Sequence, residues 1–115
     1  MSSEVNILNE ETIATLHEML GDDFKSIITE FIKIVPEQIR MLKKSAECGD
    51  IESVTSITHS IKGSSGNVGA IYLSDKCQVL ESGLRENVIQ DTEKYIQEIE
   101  GALNVTFDEL KKRFN

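Results

Sequence analysis

The sequence predicts an all-α protein: an antiparallel up-down-up-down four-helix bundle with a short N-terminal covering helix. Two observations lead to this prediction. Apolar residues recur every three or four positions over long segments, without the alternation of a strand, and short turns rich in Gly, Asp and Asn separate these segments. A chain of 115 residues can bury about two-thirds of its extended surface, which is enough for one core. We therefore expect residues 1–115 to form a single domain.

A short leading helix is predicted over residues 10–20, and Gly21 is expected to end it. Its apolar residues share one face, as expected for a helix that covers one end of a bundle. These residues are Ile13, Leu16 and Leu20.

A long second helix is predicted to begin at a capping Asp22 or Asp23 and to continue to about Cys48. Its interior proline, Pro36, is expected to kink the helix rather than end it, because the apolar period continues on both sides. The residues predicted to face the core are Phe24, Ile27, Ile28, Phe31, Val35, Ile39, Leu42 and Ala46.

Three further helices complete the predicted bundle. The third follows a tight turn at Gly49 and Asp50, the fourth covers about residues 70–87, and the last covers about residues 91–114. Their short connections favour antiparallel neighbours. In chain order, the apolar faces are Val54, Ile57, Ile61 and Val68; Leu73, Cys77, Leu80 and Leu84; and Ile96, Ile99, Leu103, Leu110 and Phe114.

Composition excludes several classes of partner. Twelve basic against 20 acidic residues give a net charge of −8, which argues against nucleic acid or an anionic membrane. The amino terminus lacks the basic and apolar regions of a signal peptide, so a cytoplasmic location is expected. Cys48 and Cys77 lack the spacing of a zinc or redox site, and we expect no metal centre. Without a repeat or an interdomain linker, the chain is expected to be free-standing rather than part of a larger kinase.

His59 is the candidate reactive residue. A helical step of about 100° per residue places it roughly 200° from both Ile57 and Ile61, so its ring is predicted to face outward. Gly63 and Gly66 are predicted to share this outer face. A glycine inside a helix lowers helix stability by about 1 kcal/mol relative to alanine, a cost that a purely structural surface has no reason to carry. The alternative is a frayed helix end near Gly66 with an ordinary solvated histidine upstream. The neighbours of His59 on the outer face are Thr55, Ser56, Lys62, Gly63 and Gly66.

The segment around His59 resembles the signature of the histidine-containing phosphotransfer (Hpt) domain family of multistep phosphorelays. Two departures, Thr58 where an alanine is common and Ile61 where a leucine is common, lie away from the chemistry. The flanking helices extend the resemblance over nearly the whole chain. The matching positions are His59, Lys62, Gly63, Ser64, Ser65, Val68, Gly69 and Ala70.

This resemblance implies a phosphorelay intermediate. His59 would accept a phosphoryl group from a receiver-domain aspartate of a hybrid sensor histidine kinase and donate it to the receiver aspartate of a response regulator. The partner receiver would carry the Mg²⁺, and the chain would need no cofactor. Lacking a nucleotide-binding loop, it would be a monomeric phosphohistidine carrier without autonomous kinase activity. Lys62 would stabilise the phosphoryl group, and partner access would come from Gly63, Gly66, Thr55 and Ser56.

Glu81 is a further candidate. It is predicted to lie on the outward side of the fourth helix, one residue past Leu80. By resemblance, it occupies a position where family members often carry a Gln or Glu that hydrogen-bonds the Nδ1 atom of the histidine, which would fix the tautomer. A solvated carboxylate is the alternative interpretation.

A second function, from another class, is consistent with the same residues. The chain would then be a helical adapter that binds a signalling partner through the same face without being phosphorylated. The presence of both His59 and Lys62 favours the phosphorelay hypothesis, since an adapter has no use for a nucleophile beside a glycine-lined surface.

Overall fold

A computed structural model of the protein describes residues 6–114 and shows an all-α architecture, as predicted. Within these residues there are five α-helices and no β-strand. In chain order they are α1 (Glu10–Leu20), α2 (Asp22–Glu47), α3 (Ile51–Asn67), α4 (Ile71–Arg85) and α5 (Thr92–Phe114).

The four long helices form a closed ring. Helices that are adjacent in sequence pack against each other from α2 to α5, α2 also packs against α5, and α1 lies against α2. The connections at residues 48–50, 68–70 and 86–91 are short, which makes successive helices antiparallel. This is the predicted bundle with its covering helix. None of the helices described between residues 6 and 114 is both long and apolar enough to cross a membrane.

The core follows the predicted apolar faces, with one clear exception on α2. Ile27 was expected to face inward, but it is 42% exposed. It lies at the edge of the apolar stripe, because Phe24, Ile28 and Phe31 already fill the central line of the helix face. On α3, Ile57 lies at the edge of the stripe in the same way and is only half-buried.

The start of α2 also differs from the prediction. Neither Asp22 nor Asp23 caps the helix; the capping residue is Gly21, which has a φ of +55° and makes no side-chain hydrogen bond there. This left-handed turn joins α1 directly to α2, and it is a conformation that glycine adopts at little cost. The two aspartates lie in the first turn of α2, where the helix dipole favours negative charge. The helix then continues through Pro36, as predicted.

The predicted tight turn at Gly49 and Asp50 leads into α3, and Asp50 caps this helix. The Asp50 carboxylate accepts hydrogen bonds from the backbone N–H of Ser53 at 3.1 Å and from its hydroxyl at 2.7 Å. These bonds hold the pKa of Asp50 below its usual value. The end of α4 differs slightly from the prediction. The helix stops at Arg85, two residues before the predicted end, and Asn87 in the loop that follows takes a left-handed conformation with φ +58°.

The segment before α1 is attached to the loop that follows α3. The backbone N–H of Asn9 donates to the carbonyl of Gly69 at 2.8 Å, and that of Tyr72 donates to the carbonyl of Ile7 at 3.2 Å. Gly69 has a φ of +82°, and a Cβ placed on it would lie 2.9 Å from Cγ1 of Ile13. The covering helix therefore depends on a glycine at this loop.

Gly69→Ala should lower the free energy of unfolding by more than about 1 kcal/mol, because a left-handed backbone is costly for alanine and Ile13 must move. Gly101→Ala is the matched control, since Gly101 is an exposed residue of α5 with open space around it. The control should be stabilised by up to about 1 kcal/mol. Urea unfolding monitored by circular dichroism measures both changes, and equal effects at the two positions would contradict this account.

Candidate functional site

His59 lies on the outer surface of α3, as predicted. Its side chain is 60% exposed, whereas Val54, Thr58 and Ile61 on the opposite face are fully buried. The buried hydroxyl of Thr58 donates to the carbonyl of Val54 at 2.7 Å, so the polar group is satisfied inside the helix. These buried residues fix the rotation of α3 and hold the histidine toward solvent.

The imidazole of His59 is anchored on one side by Glu81. Its Nδ1 atom lies 2.7 Å from Oε2 of the Glu81 carboxylate. The prediction that Glu81 faces outward is wrong, since this residue is only 3% exposed. It lies one helical turn from both Cys77 and Leu84, and α4 packs with this side against α3. The carboxylate is consequently buried at the interface between the two helices, beneath the exposed ring.

Three side chains converge on this one buried carboxylate. Besides His59, the Nζ atom of Lys62 lies 2.7 Å from Oε1, and the guanidinium of Arg85 donates to Oε2 from Nη2 at 2.9 Å and from Nε at 3.3 Å. Arg85 is a site residue that sequence reasoning missed. The available signal was its position four residues after Glu81, the spacing at which opposite charges pair along a helix.

The Glu81 carboxyl is more acidic than an ordinary glutamate. Burial by itself would raise its pKa, but hydrogen bonds from Lys62, Arg85 and His59 outweigh burial and lower the pKa to about 2. The group is ionised at neutral pH and can only accept hydrogen bonds. The Nδ1 atom must therefore be the protonated donor, which assigns the lone pair of the neutral ring to Nε2 on the solvent side.

The ammonium group of Lys62 makes contacts within the protein that the sequence did not predict. Besides its ion pair with Glu81, its ammonium group donates to Oε1 of Gln78 at 3.1 Å, and its side chain is half-buried. Its role in stabilising a phosphoryl group remains a prediction. In that role its charge would be shared between the carboxylate and the phosphoryl group.

The small residues named as access positions differ in their surroundings. A Cβ on Gly63 would meet no atom within 4 Å, whereas one on Gly66 would lie 3.5 Å from Oγ of Ser74 on α4. Ser56 is exposed and Thr55 is half-buried. Because α3 continues to residue 67, the helix is not frayed between His59 and Gly66. Gly63 therefore provides the open space beside the histidine, and Gly66 lies at the contact with α4.

An exposed apolar groove runs along α2 beside the site helix. It is bordered on the α3 side by Ser64, Asn67 and Val68 and on the α2 side by apolar residues that include Ile27 and Ile34. Ile34 is 44% exposed. Nearer the histidine, the amide of Gln38 donates to the hydroxyl of Ser60 at 3.0 Å and links the two helices. In the part of the chain that the structure describes, including this site, no group of three or more His, Cys, Asp or Glu side chains is placed to hold a metal ion.

Comparisons with known proteins identify the family of this chain. The model of the Hpt domain family matches residues 26–112. The chain belongs to the Hpt domain family. The fold of this Hpt domain is similar to the crystal structure of histidine-containing phosphotransfer protein B (HptB) from Pseudomonas aeruginosa PAO1, with a TM-score of 0.86. The two are 25% identical, over 97% of this chain and 100% of the other. No sequence among curated proteins gave a significant match.

The charge on Glu81 should make the Hpt domain sensitive to acid. The pKa of its carboxyl is lowered from 4.5 to about 2 in the folded chain. The stability that its ionised form contributes is therefore complete above pH 4.5 and is lost as the pH falls toward 2, with a total on the order of 3 kcal/mol. Urea unfolding of the wild type and of Glu81→Gln at several pH values should show a stability difference that shrinks on acidification.

Glu98→Gln is a matched control for that experiment. Glu98 pairs with Lys76 at 3.3 Å on the surface and is 43% exposed, so its loss should change stability by less than about 1 kcal/mol. A difference between wild type and Glu81→Gln that stays constant from neutral to acidic pH would mean that Glu81 contributes through packing and not through its charge.

Proposed function

We propose that this Hpt domain is a phosphorelay intermediate. In this proposal, His59 accepts a phosphoryl group from a receiver-domain aspartate of a hybrid sensor histidine kinase and passes it to the receiver aspartate of a response regulator. The observation that carries the proposal is the contact of 2.7 Å between Nδ1 of His59 and the buried Glu81 carboxylate, which leaves the unprotonated Nε2 toward solvent. Membership of the Hpt family and the similarity to HptB support it.

The proposed reaction needs no base from this chain. The lone pair on Nε2 attacks the phosphorus of the aspartyl phosphate; the N–P bond forms, the O–P bond breaks, and its electron pair stays on the aspartate carboxylate. Phosphoryl transfer of this kind depends on in-line positioning and on neutralising charge. The receiver would supply the phospho-aspartate and the Mg²⁺, and the Hpt domain would present the ring.

The charges around the ring suit an incoming anion. Lys62 and Arg85 bring two positive charges to the single negative charge of Glu81, so the cluster is locally positive in a chain whose net charge is −8. A phosphoryl group on Nε2 brings up to two negative charges to the same place. The cations would partly neutralise it.

Docking of the receiver requires both open space and apolar contact. The open space lies at Gly63, one turn from His59, and the apolar contact is available on α2 at Ile27 and Ile34. Exposed apolar surface rimmed by polar groups is typical of protein interfaces. We propose that the receiver approaches over this side of α3.

The direct test uses a receiver domain labelled with radioactive acetyl phosphate and then incubated with the chain. The label should move to the chain in an acid-labile, alkali-stable form, and His59→Gln should not accept it. Because the ring is exposed, the variant should keep its stability within about 0.5 kcal/mol. Binding of the receiver without label would instead support a non-phosphorylated adapter. Label that persists in His59→Gln would assign the acceptor to another residue.

Gly63→Leu should separate docking from folding. A leucine at this open helical position should leave stability unchanged or slightly raised. Beside the ring it would hold the receiver away, and a misplacement of ~1 Å can cost on the order of a hundredfold in rate. Transfer from a receiver should fall sharply, while labelling by phosphoramidate should fall much less.

Gly101→Leu is the matched control for this variant, since it makes the same substitution at an open position on α5. It should transfer at the wild-type rate. Equal losses with the receiver and with phosphoramidate in Gly63→Leu would mean that the glycine serves the local backbone and not partner access.

A further inference from the structure

The phosphorylated form of His59 raises a question of proton balance. For phosphoryl transfer out of the chain, the N–P bond breaks and its electron pair returns to Nε2. If Nδ1 carries a proton, the product is a neutral imidazole, which is a good leaving group. If Nδ1 has lost its proton, the product is an imidazolate, which is a poor one. The state of Nδ1 therefore decides whether the phosphohistidine is ready to donate.

The contacts of Glu81 bear on this proton directly. Oε2 lies 2.7 Å from Nδ1 and accepts from Arg85 at 2.9 Å, while Oε1 lies 2.7 Å from Lys62. A phosphorylated ring that keeps its Nδ1 proton is a cation. The group that contacts its Nδ1 atom is the buried Glu81 carboxylate, whose negative charge is paired with Lys62 and Arg85.

We propose that Glu81, kept ionised by Lys62 and Arg85, holds the proton on Nδ1 throughout the phosphorylated state. Glu81 is then a positioning residue that acts through the ring. The Nδ1 proton stays in place when Nε2 gains the phosphoryl group and when it loses it, so no proton has to move in either direction. Readiness to donate consequently becomes independent of pH across the neutral range. This inference rests on the proposed function.

The other groups that face Glu81 leave this assignment intact. From α4, the thiol of Cys77 is buried, and its burial together with the charge of Glu81 raises its pKa to about 12, so it stays neutral. From α2, the uncharged amide of Gln38 donates a hydrogen bond to Ser60, the residue after His59. The ion pair between Lys76 and Glu98 joins α4 to α5 on another side of the helix. Glu81 is thus the anion that meets the ring.

Glu81→Gln separates charge from orientation. A glutamine has the same shape, and its amide oxygen can still accept the Nδ1 proton, so the ring keeps its position. It has no negative charge, and the phosphorylated ring is free to lose its proton as the pH rises. Glu98→Gln removes a surface carboxylate with the same change of atoms and is the control for loss of charge in general.

The test measures loss of the phosphoryl group from the chain at a series of pH values. Wild type, Glu81→Gln and Glu98→Gln are phosphorylated with phosphoramidate, freed of reagent, and followed by phosphorus NMR in EDTA from about pH 6 to about pH 9. The titration of the phosphoryl group itself is common to all three proteins. The informative quantity is therefore the rate of each variant divided by that of the wild type.

The ratio for Glu81→Gln should be near one at the acidic end and should then fall by about tenfold for each unit of pH once the ring loses its proton. The ratio for Glu98→Gln should stay constant. A purely structural role of Glu81 would change the rate by one constant factor at every pH, and that result would overturn the inference. Failure of the wild type to accept a phosphoryl group from phosphoramidate or from labelled receivers would instead contradict the proposed function itself.

Discussion

Burying a carboxylate between two helices costs several kcal/mol unless the charge is paired and hydrogen-bonded. In this Hpt domain the Glu81 carboxylate lies at the α3–α4 interface, and its charge is compensated by Lys62 from α3 and by Arg85 from α4. The remaining donor is Nδ1 of His59. One requirement, that a buried anion be satisfied, therefore links the orientation of the reactive ring, the position of the Lys62 ammonium group and the packing of α3 against α4.

Close packing of α3 against α4 brings Glu81 within hydrogen-bond distance of His59. Ser74 of α4 donates its hydroxyl to the backbone carbonyl of Lys62 at 3.2 Å, and a Cβ on Gly66 would lie in van der Waals contact with the Ser74 oxygen at 3.5 Å. Ser65, fully buried, adds another small side chain to the inward face of α3. Small residues at a helix contact let the backbones approach, and a carboxylate on one helix then reaches an imidazole on the other. The two glycines near His59 differ in their surroundings: Gly66 lies at the contact with α4, and Gly63 leaves open space beside the ring.

Much of the fold follows from local pattern. Apolar residues at helical spacing predict the five helices, and the angle of His59 from Ile57 and Ile61 predicts its exposure, because both depend only on the helical period. What the pattern cannot give is the rotation of one helix against its neighbour. Glu81 was placed outward for that reason, since its position beside Leu80 does not reveal that α3 covers that side of α4.

Two of the other differences have the same kind of cause, and the third is local. Ile27 belongs to the apolar stripe of α2 by spacing, yet it lies at an edge that no neighbouring helix covers. Arg85 is an ordinary surface residue until the burial of Glu81 is known, and its guanidinium then becomes part of the site. The turn at Gly21 replaces an expected aspartate cap because the chain passes from α1 to α2 through a left-handed residue. The exposure of Ile27 and the role of Arg85 thus depend on tertiary contacts, whereas the turn depends on the backbone conformation of Gly21.

The most direct measurement is the tautomer of His59 in the unphosphorylated protein, read from nitrogen chemical shifts of histidine labelled with nitrogen-15 at a pH where the ring is neutral. The structure predicts a proton on Nδ1 and a lone pair on Nε2, opposite to the preference of neutral imidazole side chains in water. His17, exposed on α1, serves as the internal reference and should show the ordinary tautomer. A proton on Nε2 of His59 would mean that Glu81 does not hold the ring, and it would contradict the account of the site.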